Sequence, residues 1–197
     1  MKNLLIIFGL LINSVYGQNL KPVEVNDDSM NLYFGKLLNA ERVRLGKQEL
    51  KYNNKLKVIE DAWVESYFDK IIKYDDYMDS CGRERIQPTR LFGGDMHGEG
   101  DNHYSKRYEK YFGELINGRI GENMLVTNSN GIFLNYDSLV KQIFKSWVES
   151  DRHYKNMTNT QTGKFANGPQ FDEYVLVVKQ LKYNGTVYYM AALFMKS

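Results

Sequence analysis

The sequence predicts an α+β fold in which a hairpin lies within a sheet covered by helices on both faces. Two observations carry this expectation. Three segments, 30–45, 56–71 and 137–150, repeat apolar residues at three- and four-residue spacing, the period of an amphipathic helix. Further along, Tyr174–Leu181 and Thr186–Met195 read as strands joined at Asn184-Gly185, a strong turn pair. The second of these runs is apolar on both faces, so it belongs in the interior of a sheet with helices on either side.

Taken in order, residues 1–17 read as a removable secretory signal. Lys2 precedes an apolar stretch from Leu4 to Ile12, and Val15 and Gly17 stand at the −3 and −1 positions before Gln18. The stretch falls short of the ~20 apolar residues that cross a bilayer, so no stable membrane anchor is expected and the protein should be secreted or periplasmic. A polar lead of residues 18–29 follows. Asp28 and Ser29 offer caps for a helix carrying Met30, Tyr33, Phe34, Leu37, Leu38 and Leu45, with Gly46 as its stop. Glu41 falls inside that apolar stripe and must be partnered or sit at the edge of the core. Asn53 or Asn54 caps a second helix through Leu56, Ile59, Ala62, Trp63, Tyr67 and Ile71. From Tyr74 to Gly118 the periodicity fades, leaving an irregular segment 74–118 with one short helix around Lys106–Phe112; so long a loop points to function. The third helix runs from caps Asp137 and Ser138 through Val140, Ile143, Phe144 and Trp147 to about Ser150, and residues 30–197 form one domain.

Composition removes several classes of function. The 197 residues are 43% hydrophobic and 25% charged, which excludes a disordered chain. A formal charge of +2 lacks the basic excess that phosphate backbones select, so nucleic acid is not an expected partner. The lone Cys81 has no intramolecular partner for a disulfide and reads as a bystander.

Few residues remain that could carry chemistry. His97 and His103 lie in the irregular segment, and His153 comes just after the third helix. Glu122, in Gly121-Glu122-Asn123, is expected in a turn setting, flanked by a Gly and by an Asn able to hydrogen-bond the backbone. Asp95–Asp101 is acidic and Gly-rich but lacks the spacing of an EF-hand calcium loop. Lys106–Phe112 mixes cations and aromatics, as the rim of a cleft would. Asn156 and Asn184 begin Asn-x-Thr glycosylation acceptors.

Four motifs in order resemble a known family. They are Asn39-Ala-Glu-Arg42 running to Gly46 with Leu50-Lys-Tyr-Asn53 after it, Gly121-Glu122-Asn123, the run from Trp147 through Ser150 and His153 to Asn156-Met157, and the terminal hairpin. Together they resemble the CAP superfamily of cysteine-rich secretory, antigen-five and pathogenesis-related proteins, nearest its cysteine-poor bacterial members. The resemblance implies a three-layer α-β-α sandwich with a central, mainly antiparallel sheet. It also implies a ligand cleft at His103, Glu122, Asn123, His153, Glu149 and Ser150. Of these, His103, Glu122 and His153 would hold a divalent metal such as Zn²⁺, with His97 as the alternative to His103. Glu149 stands one residue before the position of the family's second acid, which is Ser150 here. Neither His-Glu-x-x-His nor Gly-x-Ser-x-Gly occurs, so no complete catalytic set is assigned. The expected function is a secreted module that binds a lipid, peptide or glycan fragment in its cleft, with or without a metal. The alternatives are a metal-dependent hydrolase using Glu122 as base, and a surface interaction protein whose cleft residues are only structural.

Overall fold

The computed structural model describes residues 23, 25, 27–80, 103–114, 118–128, 135–162, 169–183 and 186–197. The two long strands form as the alternation requires. Strand β3 (Glu173–Tyr183) pairs antiparallel with β4 (Thr186–Lys196), and β4 pairs antiparallel on its other side with β2 (Ile120–Asn128). A two-residue strand β1 (Lys51–Tyr52) joins β3 in parallel, giving the order β1-β3-β4-β2 and a mixed sheet. The strand that is apolar on both faces thus lies in the interior. β1 is too short to have any period, which is why no sequence pattern marks it.

Side-chain alternation divides the core into two layers. Tyr174, Leu176, Val178, Tyr189, Ala191, Leu193 and Met195 pack with helices α1 (Asp27–Arg44) and α4 (Tyr136–Val148), where Phe34 meets Trp147 edge-on at 5.7 Å. On the opposite face, Val175, Val177, Met190, Ala192 and Phe194 pack with α2 (Lys57–Ser80) and α3 (Tyr104–Phe112). Helices therefore cover both faces of the sheet, and the expected α-β-α layering is present. Each fully buried large apolar side chain stabilises this arrangement by about 1.5–3 kcal/mol.

Several boundaries differ from expectation. α1 begins at Asp27, so Asp28 and Ser29 lie within its first turn, where Asp27 and Asp28 complement the helix dipole. The lead before it is not wholly polar in role: Val23 is buried, its N–H donating to the Tyr189 hydroxyl at 2.9 Å. α2 continues past Tyr74 to Ser80, because an established helix gains a hydrogen bond per added residue without needing an apolar face. α4 is capped by Asn135 rather than Asp137 or Ser138; Ser138 is the reciprocal member of the capping box. The chain then makes a further helix, α5 (Asp151–Thr158), that ends at Asn159 with φ 55°. With Tyr154 and Met157 as its apolar residues it has too few to mark a period, and it places His153 within a helix of its own rather than just beyond the third. Gly46, with φ 67°, stops α1 as expected. Cys81 and the Asn184-Gly185 turn lie outside the described residues.

Among the described residues the outer edge of β3 beyond β1 meets no strand, and Asn31 of α1 takes the place of one. Its side-chain amide donates to Leu176 O at 2.7 Å while its oxygen accepts from Leu176 N at 2.7 Å. Tyr174 donates its hydroxyl to Asn31 O at 2.9 Å. This approach is close enough that a Cβ on Gly35 would stand 1.9 Å from the Tyr174 hydroxyl, so helix and strand can meet here only at glycine. Asn31→Ala leaves both Leu176 groups without this partner. At about 1–3 kcal/mol for each unsatisfied buried group, it should lower the urea midpoint; an unchanged midpoint would show that the amide pairing does not hold this edge.

Candidate functional site

Glu122 and Asn123 lie in strand β2, opposite Phe194 and Leu193 of β4, and not in a turn. Because neighbouring strand residues point to opposite faces, the two side chains enter different layers.

Glu122 turns toward α2 and α3 and meets Arg107 and Glu60. Arg107 Nη2 lies 3.1 Å from both oxygens of Glu60 and hydrogen-bonds Glu122 Oε1. Its Nε donates to Ile59 O at 3.1 Å, and its guanidinium carbon lies 4.9 Å from the centre of the Trp63 ring. Both glutamate side chains are 0% exposed, so two carboxylates share one guanidinium away from water. Burial pushes Glu122 up to about 7, partly countered by Arg107. Burial, reinforced by the charge of Glu122, drives Glu60 well above the usual carboxylate range. One proton shared between the acids leaves the trio neutral, which is how such a group can be buried. Arg107 was expected on a cleft rim. Its place beneath the site follows from the buried carboxylates, which require a cation.

Asn123 turns the other way, toward α5. Its amide donates to His153 O at 3.0 Å, while Asn156 donates to Asn123 Oδ1 at 2.9 Å and to Glu122 O at 3.2 Å. Gln161 extends the chain of amides, donating to Asn156 Oδ1 at 3.1 Å. A Cβ on Gly121 would lie 2.8 Å from the Phe171 ring and 2.9 Å from Asn156 Oδ1, so close packing requires glycine there. The Asn156 amide nitrogen is thus engaged twice, an arrangement that a glycan at this position would have to break. α5 itself is held by the buried Arg42 of α1, which donates to Gln48 O at 2.8 Å, Met157 O at 2.9 Å and Asn159 Oδ1 at 3.2 Å. Asn159 Oδ1 also accepts from Phe171 N at 3.3 Å. Glu41, expected to need a partner, has Arg44 and the Tyr154 hydroxyl, which hold its carboxyl down to about 2.

Between β2, α5 and the start of α3 lies a cavity of about 420 Å³, whose wall includes Tyr104, Arg119, Arg152, His153, Asn156 and Gln161 together with Glu122 and Asn123. The structure therefore gathers Glu122, Asn123 and His153 around one space. It does not bring the other candidates into that wall. His103 caps α3, with Nδ1 2.8 Å from Ser105 Oγ. Glu149 is exposed beside Lys145, and Ser150 precedes α5 at its N-cap position without a side-chain capping bond. His97, Asp95–Asp101 and Asn184 lie outside the described residues. Among the described residues no three of His, Cys, Asp or Glu come together as a metal would need, and the Glu122 carboxylate faces Arg107. The set His103, Glu122 and His153 does not fit a metal in this arrangement. Glu60, Tyr104, Arg119, Arg152 and Gln161 were missed in sequence. Only Glu60 carried a signal, as a charge set among Ile59, Trp63 and Val64 on the apolar stripe of α2.

No family model matches the chain, and no curated protein matches it. Among solved structures it is similar to a cysteine-rich secretory protein from Staphylococcus aureus, at 17% identity and a TM-score of 0.39. The likeness covers 91% of this chain and 42% of that one, so this chain spans less than half the length of that protein. Among the described residues, no helix is long and apolar enough to cross a membrane.

Removing Arg107 leaves two buried acids without their cation. Arg107→Gln should destabilise by about 3–5 kcal/mol, whereas Glu60→Gln, which mimics the protonated acid, should cost far less; chemical denaturation compares them, and similar losses would refute the shared-proton arrangement. Both acids are raised, so their stabilising contribution is fully present below about pH 4.5 and declines as pH rises through about 7. The urea midpoint should accordingly fall between pH 5 and pH 8, and Glu122→Gln should flatten that slope. Glu41, titrating near 2, lies outside this window.

Proposed function

We propose that this protein is an exported binding module that holds a small polar ligand, a peptide or glycan fragment, in the cleft between β2 and α5. The observation that carries the reading is the 420 Å³ cavity, whose wall combines Tyr104 and Ile120 with polar side chains, among them amides already fixed by one another. The amides of Asn123, Asn156 and Gln161 are tied in series, so little conformational freedom is lost when a ligand meets them. Export is supported by the leader-like residues 1–17, and the ordered motifs that resemble the CAP superfamily agree with a cleft at this place. The arginines and amides in the wall favour peptide or glycan over a lipid tail, which would have to desolvate them. The reading needs no divalent metal. Hydrolysis with Glu122 as base finds no support in the geometry, because that carboxylate is buried against Arg107 and could not reach a substrate without leaving it.

Nuclear magnetic resonance titration of the protein with chitotriose, N-acetyl-trialanine and N-acetyl-trialanine amide tests the proposal. At least one of the three should shift backbone resonances of β2 and α5, and Gln161→Trp, which puts an indole in the cavity wall in place of the amide, should weaken that binding tenfold or more. Shifts from none of them, or shifts that Gln161→Trp leaves intact, would overturn it.

A further inference from the structure

The amides of the cleft wall are strung in one direction. The main-chain oxygens of His153 and Glu122 can only accept, so Asn123 meets His153 O with its nitrogen at 3.0 Å and Asn156 meets Glu122 O with its nitrogen at 3.2 Å. Each side-chain oxygen then serves the next amide outward. Asn123 Oδ1 accepts from Asn156 Nδ2 at 2.9 Å, and Asn156 Oδ1 accepts from Gln161 Nε2 at 3.1 Å. Asn156 Nδ2 carries two hydrogens and meets two acceptors; turned over, the amide would set its oxygen against both of them. Two main-chain carbonyls therefore dictate which end of every amide in the series faces outward.

Gln161 is the outer member. It is half-buried in the cavity wall, and because its nitrogen is held by Asn156 it turns Oε1 away from that residue. Among the described residues, Asn156 is the hydrogen-bond partner of the Gln161 side chain. Asn156 is itself pinned, since a Cβ on Gly121 would stand 2.9 Å from its Oδ1 and 3.1 Å from its Nδ2. The wall thus presents an acceptor whose role is set from inside the fold, with the second N–H of the same amide beside it. Tyr104 and Ile120 give the same wall apolar surface. A fixed acceptor calls for a donor on the ligand and penalises an oxygen that carries no hydrogen. A ligand with hydroxyls all round would leave some of them against the apolar side chains. A secondary amide answers both demands, with an N–H that only donates and carbon atoms on either side.

Resting on the cleft being a ligand site, we propose that it recognises its ligand through a secondary amide, whose N–H donates to Gln161 Oε1 while the flanking carbons lie against Tyr104 and Ile120. A peptide bond and the N-acetyl group of a sugar share this chemistry. Gln161 is then the residue that sets specificity, and Asn123 and Asn156 are positioning residues that hold its oxygen outward.

The test titrates the whole protein with matched probes and follows backbone resonances of β2 and α5. N-acetyl-trialanine amide is compared with its three esters, in each of which one alanine is replaced by lactic acid so that an N–H becomes an oxygen. Chitotriose is compared with cellotriose, which has a hydroxyl in place of each acetamido group. In at least one comparison the amide should bind more tightly than an analogue by about tenfold or more, and that comparison names the source as peptide or N-acetyl sugar. Gln161→Met, close in length but without the acceptor, should bring the two to equal affinity. Equal or tighter binding of every analogue, or binding of N-acetyl-trialanine alone, would overturn the inference while leaving the cleft a ligand site. Silence from every probe and from N-acetyl-trialanine would overturn both. A preference for the amide that Gln161→Met retains would overturn the assignment to Gln161.

Discussion

A sheet buried on both faces still has two edges, and the way this chain satisfies them governs the rest of its architecture. At one edge, past the short β1, the amide of Asn31 completes the hydrogen bonding of Leu176. At the other, Trp147 donates to Met124 O at 3.4 Å and Asn156 to Glu122 O. Helix side chains thus finish what further strands would supply elsewhere, and they also remove the open edges that invite aggregation. The cleft is a product of this solution. Covering β2 required a helix presenting polar groups, and α5 does so with residues that then face a cavity.

The second constraint is electrostatic. Placing Glu122 on the inward face of β2 puts a carboxylate inside the layer formed by α2 and α3, where an isolated charge is not tolerated. Arg107 and Glu60 make it possible, one from each helix, so the trio ties both helices to the strand that floors the cavity. The same trio withdraws the acid from the ligand side. A residue that looks in sequence like a ligand to metal or a catalytic base acts in the fold as the anchor of an internal ion pair, and the described residues of the wall include two arginines and three amides.

The fold was largely legible in the sequence because apolar spacing reports burial directly. Phe34, Leu38, Trp63, Ile143 and Trp147 all lie where their period places them, and β4 is interior as its two apolar faces require. The cleft was less legible because its residues meet across long separations. Asn156 touches Asn123, 33 positions away, and Arg107 touches Glu60, 47 positions away. α5 was invisible for a related reason: Asp151–Thr158 carries little apolar surface, and its helix is secured by the end of α1 through Arg42. A local pattern cannot show a partner supplied by another part of the chain. Of the residues around the cleft, those within short motifs, Glu122, Asn123 and His153, were found. Arg119, outside any motif, was not, and neither was Arg152, which the run from Trp147 to Met157 contains but which the resemblance does not place in the cleft.

Gly121 divides the cavity into a part that can change and a part that cannot. With the Phe171 ring and the Asn156 amide already within 3 Å of where its Cβ would be, that stretch of β2 has no room to acquire a new side chain. Arg152 and Gln161 meet no such limit, being exposed or half-buried on α5 and just beyond it. Any drift in what the cleft recognises must therefore be written on its helical wall. On the strand opposite, Gly121 leaves no such freedom, so the cavity is closed at that point by packing and open to change on the side of α5.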